Sequence, residues 1–337
     1  MPRDTFPRLP SNALQRRQLL QAAGAAVASC ALPTLAQDSF PSRPLRVVVP
    51  FVAGGAIDVA ARAMTDKVAT LLGQPVVVDA KPGAATIVGA DAVAKAPADG
   101  YTVLVTTSST TINNAGAFKK LPYDPDKDFS LVAWFNTGHL PTAVNKDIPV
   151  KDIKEFAAWC RDRKVSAATY GAGSFAHVVA ETLNQNHGFK LEPVHYRGEG
   201  VMWQDVAAGN VQTATGSYAS QLPFLQQGTV KVIAVPTLER MRKLPDVPTF
   251  YEQGFTDRAF QVRGWVGCAA PAGTPEEIVK KLSDLMVEGG KTERVLKIND
   301  QFGIDEGARD RAYFRKVLDE EGPVVLDVIR SLNIEPA

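Results

Sequence analysis

A short β-branched strand, a glycine-rich turn and a helix follow one another near the start of this chain. Val47 to Val49 predicts a buried strand, which Pro50 ends, and apolar residues then recur with helical spacing from Ala60 to Leu72. The first amides of such a helix have no acceptor within it, and the helix dipole places about half a positive charge there. With Gly54 and Gly55 in the turn, the unit predicts an anion site, although glycine is also common in plain strand–helix turns.

The same order of elements returns about 120 residues later. Val165 to Tyr170 predicts a strand, Gly171 to Ser174 a second glycine-rich turn, and the following residues to Leu183 a helix. Strands and helices alternate between and after these units, which is typical of an α/β protein with mostly parallel strands. A chain of 337 residues also favours two domains over one. We therefore predict an α/β protein with two helix starts suited to anions.

The amino-terminal segment has the features of an export signal. Arg16 and Arg17 precede an apolar run from Leu19 to Ala28, and small residues at Ala36 suit a cleavage site. We predict that residues 1–36 are this signal, with a twin-arginine type as one form. A lipoprotein with Cys30 as its lipidated residue, or a retained anchor, remains an alternative.

Charge and cysteine content exclude several classes of protein. The 37 basic and 36 acidic residues nearly balance, so nothing favours nucleic acid as a partner. Cys160 lies in a helical pattern and Cys268 in a strand-like one. We interpret them as two isolated buried thiols, while the sequence leaves a pairing open.

Catalytic and metal signatures fail in detail. Gly171 to Ala176 fits a dinucleotide fingerprint, but Glu192 precedes the next strand instead of ending it. Ser174 lacks the glycine that a nucleophile elbow requires two residues later. Asp124 to Asp128 begins like a calcium loop without its later glycine and glutamate, and the four histidines lack metal-ligand spacing. We therefore predict a binding protein, not an enzyme, with no metal and no cofactor.

A series of short motifs runs through residues 41 to about 335. In chain order these motifs are Arg43–Arg46, Val49–Gly55, Leu72–Val78, Lys81–Ala84, Gly89–Ala94, Asp99–Thr102, Leu121–Pro125, Leu244–Thr249 and Ala269–Pro275. Their order and spacing resemble those of the Bug receptors, the substrate-binding proteins of tripartite tricarboxylate transporters.

The resemblance implies the fold of a type II periplasmic binding protein. Two α/β lobes with mixed sheets are then joined by two crossover connections, and the ligand lies in the cleft. Lobe one would comprise residues 40–141 and 263–337, and lobe two residues 142–262.

The implied function is periplasmic capture of a small carboxylate, either a di- or tricarboxylate or an aromatic acid. The receptor, expected to be a monomer, would deliver it to a membrane transporter with a large and a small subunit. The alternatives are a ligand-sensing partner of a sensor kinase and an exported enzyme on the same scaffold.

Carried over to this sequence, the family's ligand contacts fall on both lobes. In the family, the first loop holds a ligand carboxylate through backbone amides and ordered water. The predicted ligand-binding residues are Phe51, Val52, Ala53, Gly54, Gly55, Asp58, Ser108, Ser109, Gly173, Ser174, Phe175, Ala176, Tyr196 and Ser217.

Two departures from the family pattern concern ligand choice. Phe175 replaces a typical small polar residue and adds apolar area for an aromatic or alkyl body. Gln212 and Gly216 stand where the family often has acids. An acid at Gly216 could meet a ligand ammonium, so its loss counts against an amino-acid ligand.

Overall fold

The computed structural model describes residues 40–136, 138–261 and 264–331. The predicted export signal at residues 1–36, including Cys30, lies outside this part of the chain. The described residues from Arg43 onward form one compact unit. None of the described helices is long and apolar enough to cross a membrane.

Two sheets organise the fold. The first has the order β11-β4-β10-β3-β1-β2, in which β1 pairs in parallel with β2 and β3 while β10 is antiparallel to β3 and β4. Its strands are β1 Leu45–Val49, β2 Val76–Ala80, β3 Thr102–Thr107, β4 Phe129–Asn136, β10 Trp265–Pro271 and β11 Arg309–Asp310.

The second sheet has the order β7-β6-β8-β5-β9 and is also mixed, because β6 is parallel to β7 and β8 while β5 is antiparallel to β8 and β9. Its strands are β5 Thr142–Asn145, β6 Val165–Thr169, β7 Leu191–His195, β8 Thr213–Thr215 and β9 Val230–Ala234.

Ten α-helices cover the sheets in the described part of the chain. They are α1 Ala56–Leu72, α2 Ile87–Ala94, α3 Asn114–Ala117, α4 Ile153–Cys160, α5 Phe175–His187, α6 Glu199–Ala208, α7 Tyr218–Gln226, α8 Glu276–Gly289, α9 Glu293–Gln301 and α10 Arg311–Ser331. The hydroxyl-rich segment after β3 forms a π-helical turn over Ser109–Asn113 that leads into α3. A 3₁₀ turn spans Arg258–Phe260.

The chain passes between the sheets twice, from β4 to β5 and from β9 to β10. We call the first sheet with its helices lobe one and the second lobe two. The predicted fold class, two α/β lobes with mixed sheets, is confirmed. The end of α10 departs from a simple division, because Ile329 is buried in the core cluster of lobe two.

The two cysteines in the described part of the chain are separate buried thiols. Cys160 ends α4 and Cys268 lies in β10, and neither forms a disulfide. Burial raises the pKa of Cys160 to about 12 and also raises that of Cys268. The interpretation of two isolated thiols is therefore confirmed.

Candidate functional site

A cavity of about 1250 Å³ lies between the two lobes. Its wall is built where β1, β2, β3, β6, β7 and β8 end, because parallel strands present their carboxyl ends at one edge of a sheet. Eleven predicted residues line it: Phe51, Val52, Ala53, Gly54, Gly55, Ser108, Ser109, Ser174, Phe175, Tyr196 and Ser217. Three others, Asp58, Gly173 and Ala176, do not line this cavity.

The turn before α1 is held by its own hydrogen bonds. Gly54 has φ +79, a conformation that glycine adopts readily, and its amide donates to Asp58 Oδ2 at 2.9 Å. The amide of Gly55 donates to the carbonyl of Val52 at 3.2 Å. The two glycine amides, which the sequence placed at the ligand, are therefore engaged within the turn.

The backbone amides of α1 that lack an acceptor in the helix follow directly after Gly55. The first helical bond joins the Val59 amide to the Gly55 carbonyl at 2.9 Å. The amides of Ala56, Ile57 and Asp58 precede it and have no acceptor in the helix. Ala56 and Ile57 line the cavity. The sequence did not predict these two residues, because only the hydrogen bonds within the turn show which amides are left without an acceptor.

Asp58 holds this turn in place through its buried side chain. Its side chain is 2% exposed, and Arg62 donates to both carboxylate oxygens at 2.9 and 3.0 Å. Burial alone would raise the pKa of Asp58, but the hydrogen bonds from Arg62 and from the Gly54 amide lower it below its usual value. The structure thus gives Asp58 a different role from the predicted ligand contact.

Asp58→Asn should loosen the turn. The amide side chain cannot accept both the Arg62 fork and the Gly54 amide, so we expect a loss of about 1–3 kcal/mol in the free energy of unfolding and weaker ligand binding. Urea denaturation and calorimetry measure the two effects. Asp66→Asn, at an exposed ion pair with Arg294, is the matched control and should change neither by more than about 1 kcal/mol. Equal behaviour of the two variants would contradict the assignment.

The helix start of lobe two is occupied by protein groups. Ser174 caps α5 by accepting the amide of His177, and His177 Nδ1 accepts the amide of Gly173 at 3.1 Å. Burial raises the pKa of Tyr170, the nearby Glu199 raises it further, and hydrogen bonds from the amides of Phe175 and Ala176 oppose the rise. The Tyr170 phenol on the cavity wall therefore covers the first amides of α5.

His177 gives the lobe-two turn a pH dependence. Burial, and then the charge of nearby His195, lowers the pKa of His177 to about 4, against about 6.5 for an unperturbed histidine. The unfolded chain therefore takes up a proton between these values that the folded chain does not. The contribution of neutral His177 to the free energy of unfolding is complete above about pH 6.5 and declines as the pH falls toward 4.

The free energy of unfolding of the wild type should fall as the pH is lowered from 7 to about 4.5. In His177→Gln we expect this fall to be smaller by roughly 1–3 kcal/mol. Urea titrations of both proteins at the two pH values give the difference. Parallel pH dependences would contradict this role of His177.

Gly173 lies at a contact between the lobes. Its carbonyl accepts Asn113 Nδ2 at 3.1 Å, a buried hydrogen bond from lobe one. A Cβ at Gly173, where φ is +69, would come within 2.5 Å of the Ala117 Cβ. Gly173 therefore brings the lobes together, and Ala176 is buried in α5 behind it.

Another turn on the lobe-one wall was missed by sequence reasoning. Ala84, Ala85 and Thr86 line the cavity with φ of 43, 49 and 78, a left-handed run that is costly without glycine. Thr110 Oγ1 bonds Thr86 Oγ1 at 2.7 Å, and Asn114 Nδ2 donates to the Ala85 carbonyl at 2.9 Å. Thr110 in the π-helical turn and Asn114 at the start of α3 therefore fix this turn.

The remaining lobe-two residues form a polar wall. The Tyr196 hydroxyl donates to Asp205 Oδ2 at 2.6 Å, so burial and this bond raise the pKa of Tyr196 to about 12. Ser217 donates through its amide and its hydroxyl to Glu199 Oε2, at 3.0 and 2.5 Å. Glu199 lines the cavity and was not predicted from the sequence.

Phe175 has two surroundings. It lines the cavity and also packs against the core cluster of lobe two. Gly216, by contrast, does not line the cavity, and a Cβ there would lie 3.1 Å from the Trp203 indole. The cavity is therefore apolar along Phe175 and is not shaped by the position where the family often has an acid.

The arrangement can bind an anion through backbone amides. The described residues contain no group of three or more His, Cys, Asp or Glu side chains able to hold a metal ion. The description "Tripartite tricarboxylate transporter family receptor" matches residues 60–334. The chain belongs to this family, the Bug receptors. Its members are periplasmic solute-binding proteins with carboxylate ligands and membrane transporter partners.

Individual relatives agree with this assignment. The UPF0065 protein in the tcbD-tcbE intergenic region of Pseudomonas sp. (strain P51) is 35% identical over 86% of each chain. The solved structure of MatC from Rhodopseudomonas palustris with bound malate is 32% identical, with a TM-score of 0.77 over 86% of this chain and all of the other. R. palustris Rpa4515 with adipate is 27% identical, with a TM-score of 0.81 over 88% and 100%.

Proposed function

We propose that this receptor captures a small carboxylate, either a di- or tricarboxylate or an aromatic acid, between its lobes in the periplasm. The observation that carries the proposal is the start of α1, where the Ala56 and Ile57 amides lie on the cavity wall without helical acceptors. Amides and the helix dipole at such a position contribute about 0.3–2 kcal/mol for each anionic contact.

The cavity supports a carboxylate that carries an apolar body. Its volume exceeds the roughly 300–1,000 Å³ of most small-molecule sites, so a ring or short alkyl chain fits beside the carboxylate. Phe175 offers an aromatic face to such a body. The malate and adipate bound by the two R. palustris proteins support the class of ligand.

Ligand binding then favours the closed arrangement of the lobes. The receptor, exported by the signal at residues 1–36, acts as a monomer and delivers the ligand to a membrane transporter with a large and a small subunit. It releases the ligand unchanged and uses no cofactor.

Isothermal titration calorimetry against dicarboxylates, citrate and benzoate tests the ligand class. We expect at least one of these acids to bind, while matched amides and sugars do not. Recovery of the bound acid unchanged after prolonged incubation tests the absence of turnover. Binding of a sugar or of a ligand without a carboxylate, with no response to the acids, would refute the proposal.

A further inference from the structure

The cavity reaches well beyond the start of α1. Ala56, Ala60 and Met64 all line it, and their spacing of four residues places them on one face of the helix. Since an α-helix rises about 1.5 Å per residue, this face continues the cavity wall for about 12 Å from Ala56 to Met64. A ligand whose carboxylate is held at the first amides of α1 therefore has room for its body along the helix.

The opposite wall of this part of the cavity is formed by α9 and the segment that follows it. Val295 and Phe302, seven residues apart on one side of α9, both line the cavity. The helix packs against α1, and Arg294 pairs with Asp66 of α1. We call this part of the cavity the side compartment and define it by the residues Ala60, Met64, Val295, Phe302, Ile304 and Ala308.

The side compartment is apolar and lies deep in lobe one. Met64 is 5% exposed and Val295 is 7% exposed. Beside them α8 packs closely on α1, because a Cβ at Gly289 would lie 2.8 Å from the Met64 carbonyl oxygen. Water between apolar side chains finds few hydrogen-bond partners, so an apolar group that displaces it gains affinity.

The charged groups nearby leave the side compartment without a strong attraction for a second ligand charge. Asn299 and Glu306 line the cavity on this side, and Glu306 is paired with Arg309 at 3.3 Å and accepts the Tyr313 hydroxyl at 3.1 Å. Arg197, an exposed cation, lines the cavity on lobe two. A second carboxylate of the ligand can therefore stay in the cleft, hydrated and opposite a positive charge, while an apolar group enters the side compartment.

Building on the proposed function, we infer that the side compartment binds an apolar branch of the ligand, an aromatic ring or an alkyl chain. One carboxylate stays at the first amides of α1, and a second carboxylate, where the ligand has one, stays in the cleft between the lobes. The ligand class is thus a mono- or dicarboxylate that carries an aryl or alkyl substituent. Because the side compartment lies on lobe one, it adds to the apolar surface that Phe175 offers from lobe two.

The test compares two pairs of acids by calorimetry, succinate with benzylsuccinate and propionate with hydrocinnamate. Within each pair the number of carboxylates is the same and only the aryl group differs. We expect the wild type to bind the aryl acid at least about tenfold more tightly than its parent in one or both pairs, because the ring is buried in the side compartment.

Two variants change the side compartment from opposite walls. Ala60→Leu fills it from α1 and should bring the affinity ratio close to one. Phe302→Leu removes an aromatic ring from the other wall and should lower the ratio by about threefold. Ala69→Leu, on the same helix as Ala60 but outside the cavity wall, is the matched control and should leave the ratio unchanged. Urea denaturation shows whether each variant is folded.

Three results would overturn the inference while the proposed function stands. They are equal affinities within both pairs, an unchanged ratio in Ala60→Leu or, if that variant does not fold, in Phe302→Leu, and a loss of the preference in Ala219→Leu, on the lobe-two wall, instead of Ala60→Leu. Failure of all four acids to bind, while another carboxylic acid binds, would also overturn the inference alone. Failure of every carboxylic acid to bind would overturn the proposed function together with it.

Discussion

Gly55→Val is expected to weaken carboxylate binding by about hundredfold, or about 2.7 kcal/mol, while the protein stays folded. A Cβ at Gly55 would lie 3.2 Å from the Val52 carbonyl oxygen, closer than most real contacts. The turn must then shift, and the branched side chain stands beside the first amides of α1 at Ala56 and Ile57. Calorimetry with the tightest-binding acid measures the change in Kd.

The control for this variant is Gly307→Val. Gly307 is exposed, lies outside the cavity wall, and a Cβ there meets nothing within 4 Å. Its affinity and its urea midpoint should match the wild type. If Gly55→Val, folded by circular dichroism, bound as tightly as Gly307→Val, the turn before α1 would not belong to the ligand site.

Gly173→Ala should weaken binding by about 10- to 50-fold by keeping the lobes apart. The added Cβ would meet the Ala117 Cβ at 2.5 Å, and the left-handed φ of +69 adds a cost of about 1–2 kcal/mol for any residue with a Cβ. The hydrogen bond from Asn113 to the Gly173 carbonyl would be stretched as well. In the proposed function the ligand binds the closed arrangement of the lobes, so destabilising that arrangement should appear as lost affinity.

The steric part of this effect is separable. Ala117→Gly removes the opposing Cβ, so the double variant with Gly173→Ala should recover part of the affinity, leaving the backbone cost. Calorimetry on both single variants and the double variant gives the coupling energy. Strict additivity of the two substitutions would contradict a steric contact between the lobes at this point.

The local sequence predicted the strand, turn and helix of the site better than it predicted which backbone amides are free to bind a ligand. The strand–turn–helix unit at Val47–Leu72 is local, and the structure has β1, the turn and α1 there. Gly54 and Gly55 line the cavity, as predicted, but the sequence did not show that Asp58 and Val52 already accept their amides. A carboxylate one turn into a helix gives no sequence signal that distinguishes a ligand contact from a positioning role.

The unpredicted site residues depend on contacts between distant segments. Tyr170 reaches the start of α5, and Glu199 meets Ser217 from another helix. Gly216 was expected to influence ligand choice because the family often has an acid there. In the structure a Cβ at Gly216 would face Trp203, and Gly216 does not line the cavity. Residues on one wall of a cleft are brought together by strand order, which a single sequence does not reveal.

An amide-resolved NMR titration with the tightest-binding acid tests directly whether the start of α1 holds the ligand carboxylate. The ligand carboxylate should shift the amide resonances of Ala56 and Ile57 most strongly, with smaller changes at Ser217 and Phe175 across the cleft. The amides of Gly54 and Gly55, bonded within the turn, should move less than those of Ala56 and Ile57. Binding by calorimetry with unchanged resonances at Ala56 and Ile57 would mean that the start of α1 does not hold the carboxylate.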